Sequence, residues 1–248
     1  MVDPMEISVA TSNLEEKPSP KPEARKRTSL SSAAIYERVK NMAATFELRP
    51  GERINEIDLS KQLDVSRTPL REVLNQLMVE GFLERTTNKG FVSRPLDVKQ
   101  IFDLYEYRLS LETAIGRLAC QRATDDEIVQ LERSVQEDAA VPEDSDSNQL
   151  LALDEAFHMR LAHLTRNDEF VRALSNVNAR IHYVRWIDMR NGRRPYTQAE
   201  HMQIVQALKA RDEVALVKLL EGHIARRKEQ ITEVIKLGFS EIYTRQRG

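Results

Sequence analysis

Between residues 59 and 80, apolar side chains fall at Leu70, Val73, Leu74, Leu77 and Met78. This is the i, i+3, i+4, i+7, i+8 stripe of an amphipathic helix. Ser66 stands at the N-cap position, with its hydroxyl expected to accept from an otherwise unpaired backbone N–H. Pro69 falls in the first turn, where a missing N–H removes no intrahelical bond. Upstream, Leu59 and Leu63 mark a shorter helix, joined through a tight turn at Asp64 and Val65. Two short helices about a tight turn predict a helix-turn-helix, whose second helix presents Ser66, Arg67, Thr68 and Arg71 to a major groove. An ordinary helical hairpin with a basic, solvated face has the same periodicity, so the pattern alone leaves both readings open.

The pattern continues on either side. Ile35, Val39, Met42 and Phe46 predict a helix over residues 31–47, stopped by Pro50 and Gly51. Gly81 ends the second helix of the motif. Residues 82–95 alternate loosely and turn at Asn88, Lys89 and Gly90, which predicts a two-stranded hairpin. From Asp97 onward only helical patterns occur. Val98, Ile101, Phe102 and Tyr105 begin a stripe that Leu111, Ile115, Leu118 and Ala119 continue beyond an expected kink. Thr124 and Glu127 form a capping box, and residues 139–147 an acidic loop. Helices follow over 148–165 and 168–189, with a break at 191–195. Thr197 and Glu200 are read as a second capping box, and a last helix runs from about 212 to 236. The expected fold is mainly α. A winged helix-turn-helix over 31–95 precedes an antiparallel bundle of six or seven helices over 96–237. Residues 1–30 read as a disordered tail and 238–248 as a short C-terminal one.

Composition narrows the choice of partners. The 248 residues hold 37 Lys and Arg against 39 Asp and Glu, a net charge of −2, so a nucleic-acid surface has to be a local patch. A non-specific architectural DNA protein does not fit that balance. The single Cys120 excludes an internal disulfide and a cysteine-rich zinc finger, as expected in a reducing compartment. No apolar run approaches the roughly 18 residues of a membrane span, and the N-terminus lacks a signal-peptide core. The expectation is a cytoplasmic protein without membrane contact.

The run PGERINEIDLSKQLDVSRTPLREVLNQLMVEGFLE, from Pro50 to Glu84, resembles the GntR family of bacterial transcription regulators, most specifically in VSRTPLRE and the EG that follows. Asp64 stands where the family usually has Gly. "R..LE" at Arg108 and Glu112, "D…H" at Asp154 and His158, and "EH..I..AL…D" from Glu200 to Asp212 resemble the ligand-sensing FCD domain of FadR-type members, with the six-helix VanR branch favoured. The resemblance implies a homodimeric, metabolite-responsive regulator, commonly a repressor, on a pseudo-palindromic DNA operator. It implies that Ser66, Arg67, Thr68 and Arg71 read DNA and that Lys89 and Gly90 reach the neighbouring minor groove. It also implies that Arg108 meets a carboxylate of the effector. Tyr105, Asn178, Arg185 and Trp186 are added to that cavity from helix face alone.

Asp154 and His158, at i and i+4, share one helical face, and His201 and His223 fall beside the apolar Ile204 and Ile224. A lone inward histidine is more often a hydrogen-bonded core residue than a ligand. Four matches to the FCD pattern together imply a divalent metal site. Three imidazoles and one carboxylate suit Zn²⁺ or Ni²⁺, with Mn²⁺ and Fe²⁺ as further candidates. The alternative is a metalloenzyme, a hydrolase for example, that uses the Asp/His cluster to activate water. Against it, no HExxH arrangement supplies a general base, and Glu155 points off the ligand face.

Overall fold

The computed structural model describes residues 30–87, 90–190 and 194–225. Its first part holds α1 (Ser32–Ala44), β1 (Arg53–Ile54), α2 (Glu56–Gln62), α3 (Arg67–Val79), β2 (Leu83–Arg85) and β3 (Phe91–Ser93). The stripe foreseen on α3 is the buried one: Leu70, Val73, Leu74 and Leu77 are enclosed, and Met78 packs at the edge. They meet Ile35, Val39 and Met42 of α1, together with Leu83 and Phe91 of the strands.

Two left-handed residues shape the motif. Asp64 closes α2 at φ +51°, with Val65 N–H bonded to Ser60 O and Asp64 N–H to Lys61 O. Gly81 closes α3 at φ +86°, with Phe82 N–H bonded to Leu77 O and Gly81 N–H to Met78 O. Both are Schellman caps. Glycine adopts that conformation freely, and aspartate is among the few other residues that tolerate it. The left-handed residue expected at Asp64 is therefore present without glycine.

The expected hairpin of β2 and β3 forms, and the structure departs from local expectations in four places. Ser66 is the N-cap of α3 by backbone angles, but its side chain makes no capping bond. The wing has a third strand: β1 pairs with β3, Ile54 opposite Phe91, giving the order β1-β3-β2. A two-residue strand is too short to show a period of two. The expected kink after Tyr105 is absent, since α4 (Val98–Arg122) is one continuous helix. Thr197 is not a cap either, because α8 (Arg194–Lys209) already begins three residues earlier. The capping box at Thr124 does form and opens α5 (Asp125–Ala139).

The remaining helices are α6 (Ser147–His163), α7 (Asp168–Arg190) and α9, described over residues 213–225. Among the described residues, six helices thus follow Pro95, and the expected end of the last one at 236 lies outside them. Ile115, Phe157, Leu161, Leu174, Ile181, Val205 and Leu220 are among the enclosed apolar side chains of this bundle. At Gly116 of α4 the helices approach closely, for a Cβ there would stand 2.6 Å from Leu220 Cδ1 on α9. The winged-helix part rests on the bundle through α1 and α7, where the Phe46 ring lies 4.4 Å from that of Tyr183.

Candidate metal centre and nucleic-acid interface

Four side chains from three helices converge inside the bundle. Asp154 and His158 come from α6, one turn apart, His201 from α8 and His223 from α9. Each offers one ligand atom, all within 4.8 Å of one another, and every one of the four residues is buried. His158 Nε2 and His223 Nε2 face each other at 3.2 Å, and His201 Nε2 lies 3.4 Å from Asp154 Oδ1. Phe157 stacks on the His201 ring at 3.8 Å between centroids and closes one side.

The far side of the cluster is held by carboxylates and guanidiniums. His158 Nδ1 donates to Glu112 Oε2 at 2.5 Å, and His223 Nδ1 to Glu200 Oε2 at 2.7 Å. A carboxylate on Nδ1 fixes the tautomer, leaving the Nε2 lone pair directed inward, as metal-binding imidazoles require. Burial pushes the His158 pKa below its usual value, against the pull of Glu112, so this ring is neutral at pH 7. Glu112 in turn takes Arg108 Nε at 2.5 Å on its other oxygen. Burial works to raise the Glu112 carboxyl, but Arg108 and then His158 outweigh it and hold it well below the usual carboxylate range. Asp154 Oδ2 is bonded by Arg185, whose Nη1 also reaches Glu155 Oε1 at 2.9 Å.

Two opposed imidazole lone pairs at 3.2 Å repel unless a proton or a cation lies between them. With Asp154 beside them, the residues present fit a divalent cation. The sequence brought forward the four residues of this cluster. It missed the backing role of Glu112, which entered only as part of the R..LE pattern, and of Glu200, which was taken for part of a capping box. The signal available for Glu200 was its position next to His201.

The residues expected around the effector divide. Arg108 is fully enclosed on α4, in a buried i, i+4 ion pair with Glu112, and Tyr105 lies one turn earlier in the core. Asn178 is 3% exposed, and both its amide atoms are enclosed without a hydrogen-bond partner among the described residues. Arg185 is committed to Asp154 and Glu155, because an enclosed guanidinium is stable only beside carboxylates. Trp186 is partly buried against the bundle core. It stacks on Tyr183, with Arg190 over its ring at 4.8 Å, since a large amphipathic ring is better placed half-buried near the junction with α1.

A second polar surface lies on the winged helix. Ser66, Arg67 and Thr68 are exposed at the start of α3, and Arg71 follows one turn later. Arg67, Thr68, Arg71, Glu72, Asn75 and Glu56 line one shallow depression, in which Glu56 pairs with Arg71 at 3.7 Å. Gly90 is tied into the wing turn, its N–H donating to Thr86 Oγ1 at 3.1 Å. Lys89, expected to reach DNA with it, lies outside the described residues.

A helix-turn-helix head with exposed guanidiniums, joined to an α-helical bundle holding a histidine cluster, defines a DNA-binding regulator with a sensor domain. Residues 31–92 match the bacterial regulatory proteins of the gntR family, and residues 103–226 match the FCD domain. The chain belongs to the GntR family, in its FCD-containing FadR-type branch. It is 46% identical over 204 residues to the Nta operon transcriptional regulator of Aminobacter aminovorans, covering 82% of this chain and 96% of that one. It is 28% identical to the uncharacterized HTH-type transcriptional regulator YdhC of Bacillus subtilis, covering 82% and 92%. Among solved structures, Escherichia coli McbR/YncC superposes with a TM-score of 0.65 at 18% identity, over 87% of this chain and 99% of that one. A putative GntR regulator from Rhodococcus sp. RHA1 gives 0.64 at 23% identity, over 82% and 97%. These two share the fold. The family and the relatives identify a transcriptional regulator, so the metalloenzyme alternative falls. No described helix is long and apolar enough to cross a membrane.

Proposed function

We propose that the protein is a metabolite-responsive repressor that binds a pseudo-palindromic operator as a homodimer and senses a small carboxylate at a metal-containing cavity. The opposed Nε2 atoms of His158 and His223, each backed by a carboxylate, carry the sensing half of this reading. Asp154, His158, His201 and His223 would hold the ion, with Zn²⁺ or Ni²⁺ preferred for this donor set and Mn²⁺ or Fe²⁺ next. A bound divalent cation supplies a Lewis-acidic anchor for an effector carboxylate. Arg108 orients that carboxylate, and Asn178 offers an amide that donates and accepts. Tyr105 supports Arg108 from the preceding turn. Arg185 fixes Asp154.

On the DNA side, Arg67 and Arg71 present forks suited to guanine O6 and N7, and Ser66 and Thr68 bond phosphate or base edges. Lys89 and Gly90 of the wing contact the adjacent minor groove. One helix-turn-helix reads only a few base pairs, so two heads on one operator supply the specificity. The test joins elemental analysis of the purified protein to operator binding with a panel of small carboxylates, before and after chelation. The expected result is about one divalent ion per chain and an effector response that disappears with the metal. Metal-free protein that still releases its operator at the same effector concentration overturns the sensing half. Sequence-independent DNA binding overturns the other.

A further inference from the structure

The carbonyl end of α3 is docked on α7. Asn176 donates its amide to Glu80 O at 3.3 Å, and Arg94 donates from Nη1 to Gly81 O at 2.6 Å and from Nε to Gln100 Oε1 at 2.6 Å. Arg180, one turn beyond Asn176, lies against the same glycine. A Cβ on Gly81 would stand 2.9 Å from Arg94 Nη1 and 3.1 Å from Arg180 Cζ. Two guanidiniums therefore crowd one backbone position, where any side chain would displace them.

The two cations are not equally answered. Arg94 has a carbonyl and an amide oxygen, and Glu84 Oε1 stands 3.9 Å from its Nε. Arg180 Nε is enclosed without a hydrogen-bond partner, and no carboxylate stands within ion-pair distance of the group among the described residues. Asp97, on the wall nearby, has Oδ1 accepting Lys99 N–H at the start of α4. Burial, and then the charge of Arg94, push the Arg180 pKa down to about 10, so the group is still a cation at neutral pH. A partly buried cation beside a like charge is destabilised unless an anion answers it.

Next to the pair lies a cavity of about 40 Å³, lined among others by Phe46, Gly81, Arg94, Asp97, Gln100 and Arg180. A water molecule needs roughly 10–15 Å³ on this measure. The space has room for one small ion.

We propose that Arg94 and Arg180 form a binding site for a small inorganic anion, a halide or phosphate, at the joint between the recognition helix and α7. A guanidinium pair offers several parallel N–H donors to such an ion. When bound, the anion removes the repulsion between the two cations and fastens the carbonyl end of α3 to the bundle. Anion composition then sets how firmly the DNA-reading head is held, in addition to its ordinary screening of phosphate contacts. The inference does not depend on the metal or effector reading.

Two measurements on the full chain test it. Crystals soaked in sodium bromide should show an anomalous peak in contact with both guanidiniums, and the absence of that peak overturns the proposal. Thermal unfolding should be followed as inorganic phosphate is raised at constant ionic strength, for the wild type and for Arg180→Met. Near tenfold the dissociation constant, the wild type should gain about 3–5 °C more than the variant. Arg67, Arg71 and the histidine cluster are present in both proteins, so phosphate bound there cancels. Equal gains in the two proteins overturn the site, and Arg180→Lys should restore part of the difference.

Discussion

His158 and His223 point Nε2 at one another across 3.2 Å, while Glu112 and Glu200 occupy their Nδ1 atoms. Neither ring can turn away without abandoning a buried carboxylate. The His158→Ala/His223→Ala double variant should therefore lose the bound divalent ion, read by elemental analysis beside wild type. Metal added to the wild-type apoprotein should raise its unfolding midpoint, and at 100 times the dissociation constant the stabilisation is about 2.7 kcal/mol. The double variant should show no such rise, and equal metal content in both proteins would refute the site.

Glu112 ties Arg108 to His158, so its removal should be felt beyond its own contacts. Glu112→Ala leaves an enclosed guanidinium without its carboxylate and should cost about 3–5 kcal/mol in urea unfolding. The pH dependence has a definite sign. The folded-state pKa values of Glu112 and His158 both lie below their unfolded values. The His158 contribution is complete above about pH 6.5 and is lost as pH falls through its folded value; the Glu112 contribution is complete above about pH 4.3 and is lost at lower pH. Metal-free protein should lose stability on acidification through both ranges, and Glu112→Gln should flatten the lower one. An unchanged slope there would refute the assignment.

On the reading head, Arg67→Ala should weaken operator binding by about 1–3 kcal/mol and relax preference at one base pair per half-site, if it reads a base. Arg71→Ala frees Glu56 from its pair as well, so the loss should be at least as large. Competition between operator variants, at fixed salt, separates base reading from phosphate contact. Wild-type affinity and preference in both variants would remove these residues from the interface.

Gly116 offers a mechanical test. Valine there would drive into Leu220 and Leu216 of α9, costing about 1–3 kcal/mol by overpacking. Because His223 lies one turn beyond Leu220, the same wedge should weaken metal affinity without touching a ligand. Parallel urea and metal titrations read both effects, and unaltered metal affinity in a destabilised variant would separate the two.

Periodicity made most helices legible, because each buries one stripe: Leu70, Val73, Leu74 and Leu77 on α3 are enclosed as the spacing requires. The four candidate ligands were legible through motif likeness and i, i+4 geometry. What was hidden depended on partners distant in sequence. Glu200 completes the capping-box pattern that Thr197 begins, and only the position of α9 shows that it serves His223 instead. Ser66 matches the N-cap preference, yet its hydroxyl makes no capping bond. Arg185 and Trp186 were assigned to a cavity from helix face alone. In the structure Arg185 is paired with Asp154 and Trp186 stacks on Tyr183, contacts that helix face alone did not show.

Helix α7 touches the recognition helix through Asn176 and the candidate metal ligand Asp154 through Arg185, nine residues apart on one uninterrupted element. Inserting a single residue between them would rotate one contact relative to the other by about 100° and lengthen their separation by about 1.5 Å. Exposed positions such as Arg172 and Ser175 should tolerate substitution, whereas the spacing of Asn176 and Arg185 should not tolerate change. Insertions and deletions should therefore collect in the loops flanking α7, and chimaeras of this family should exchange its two domains successfully only where that nine-residue interval is kept.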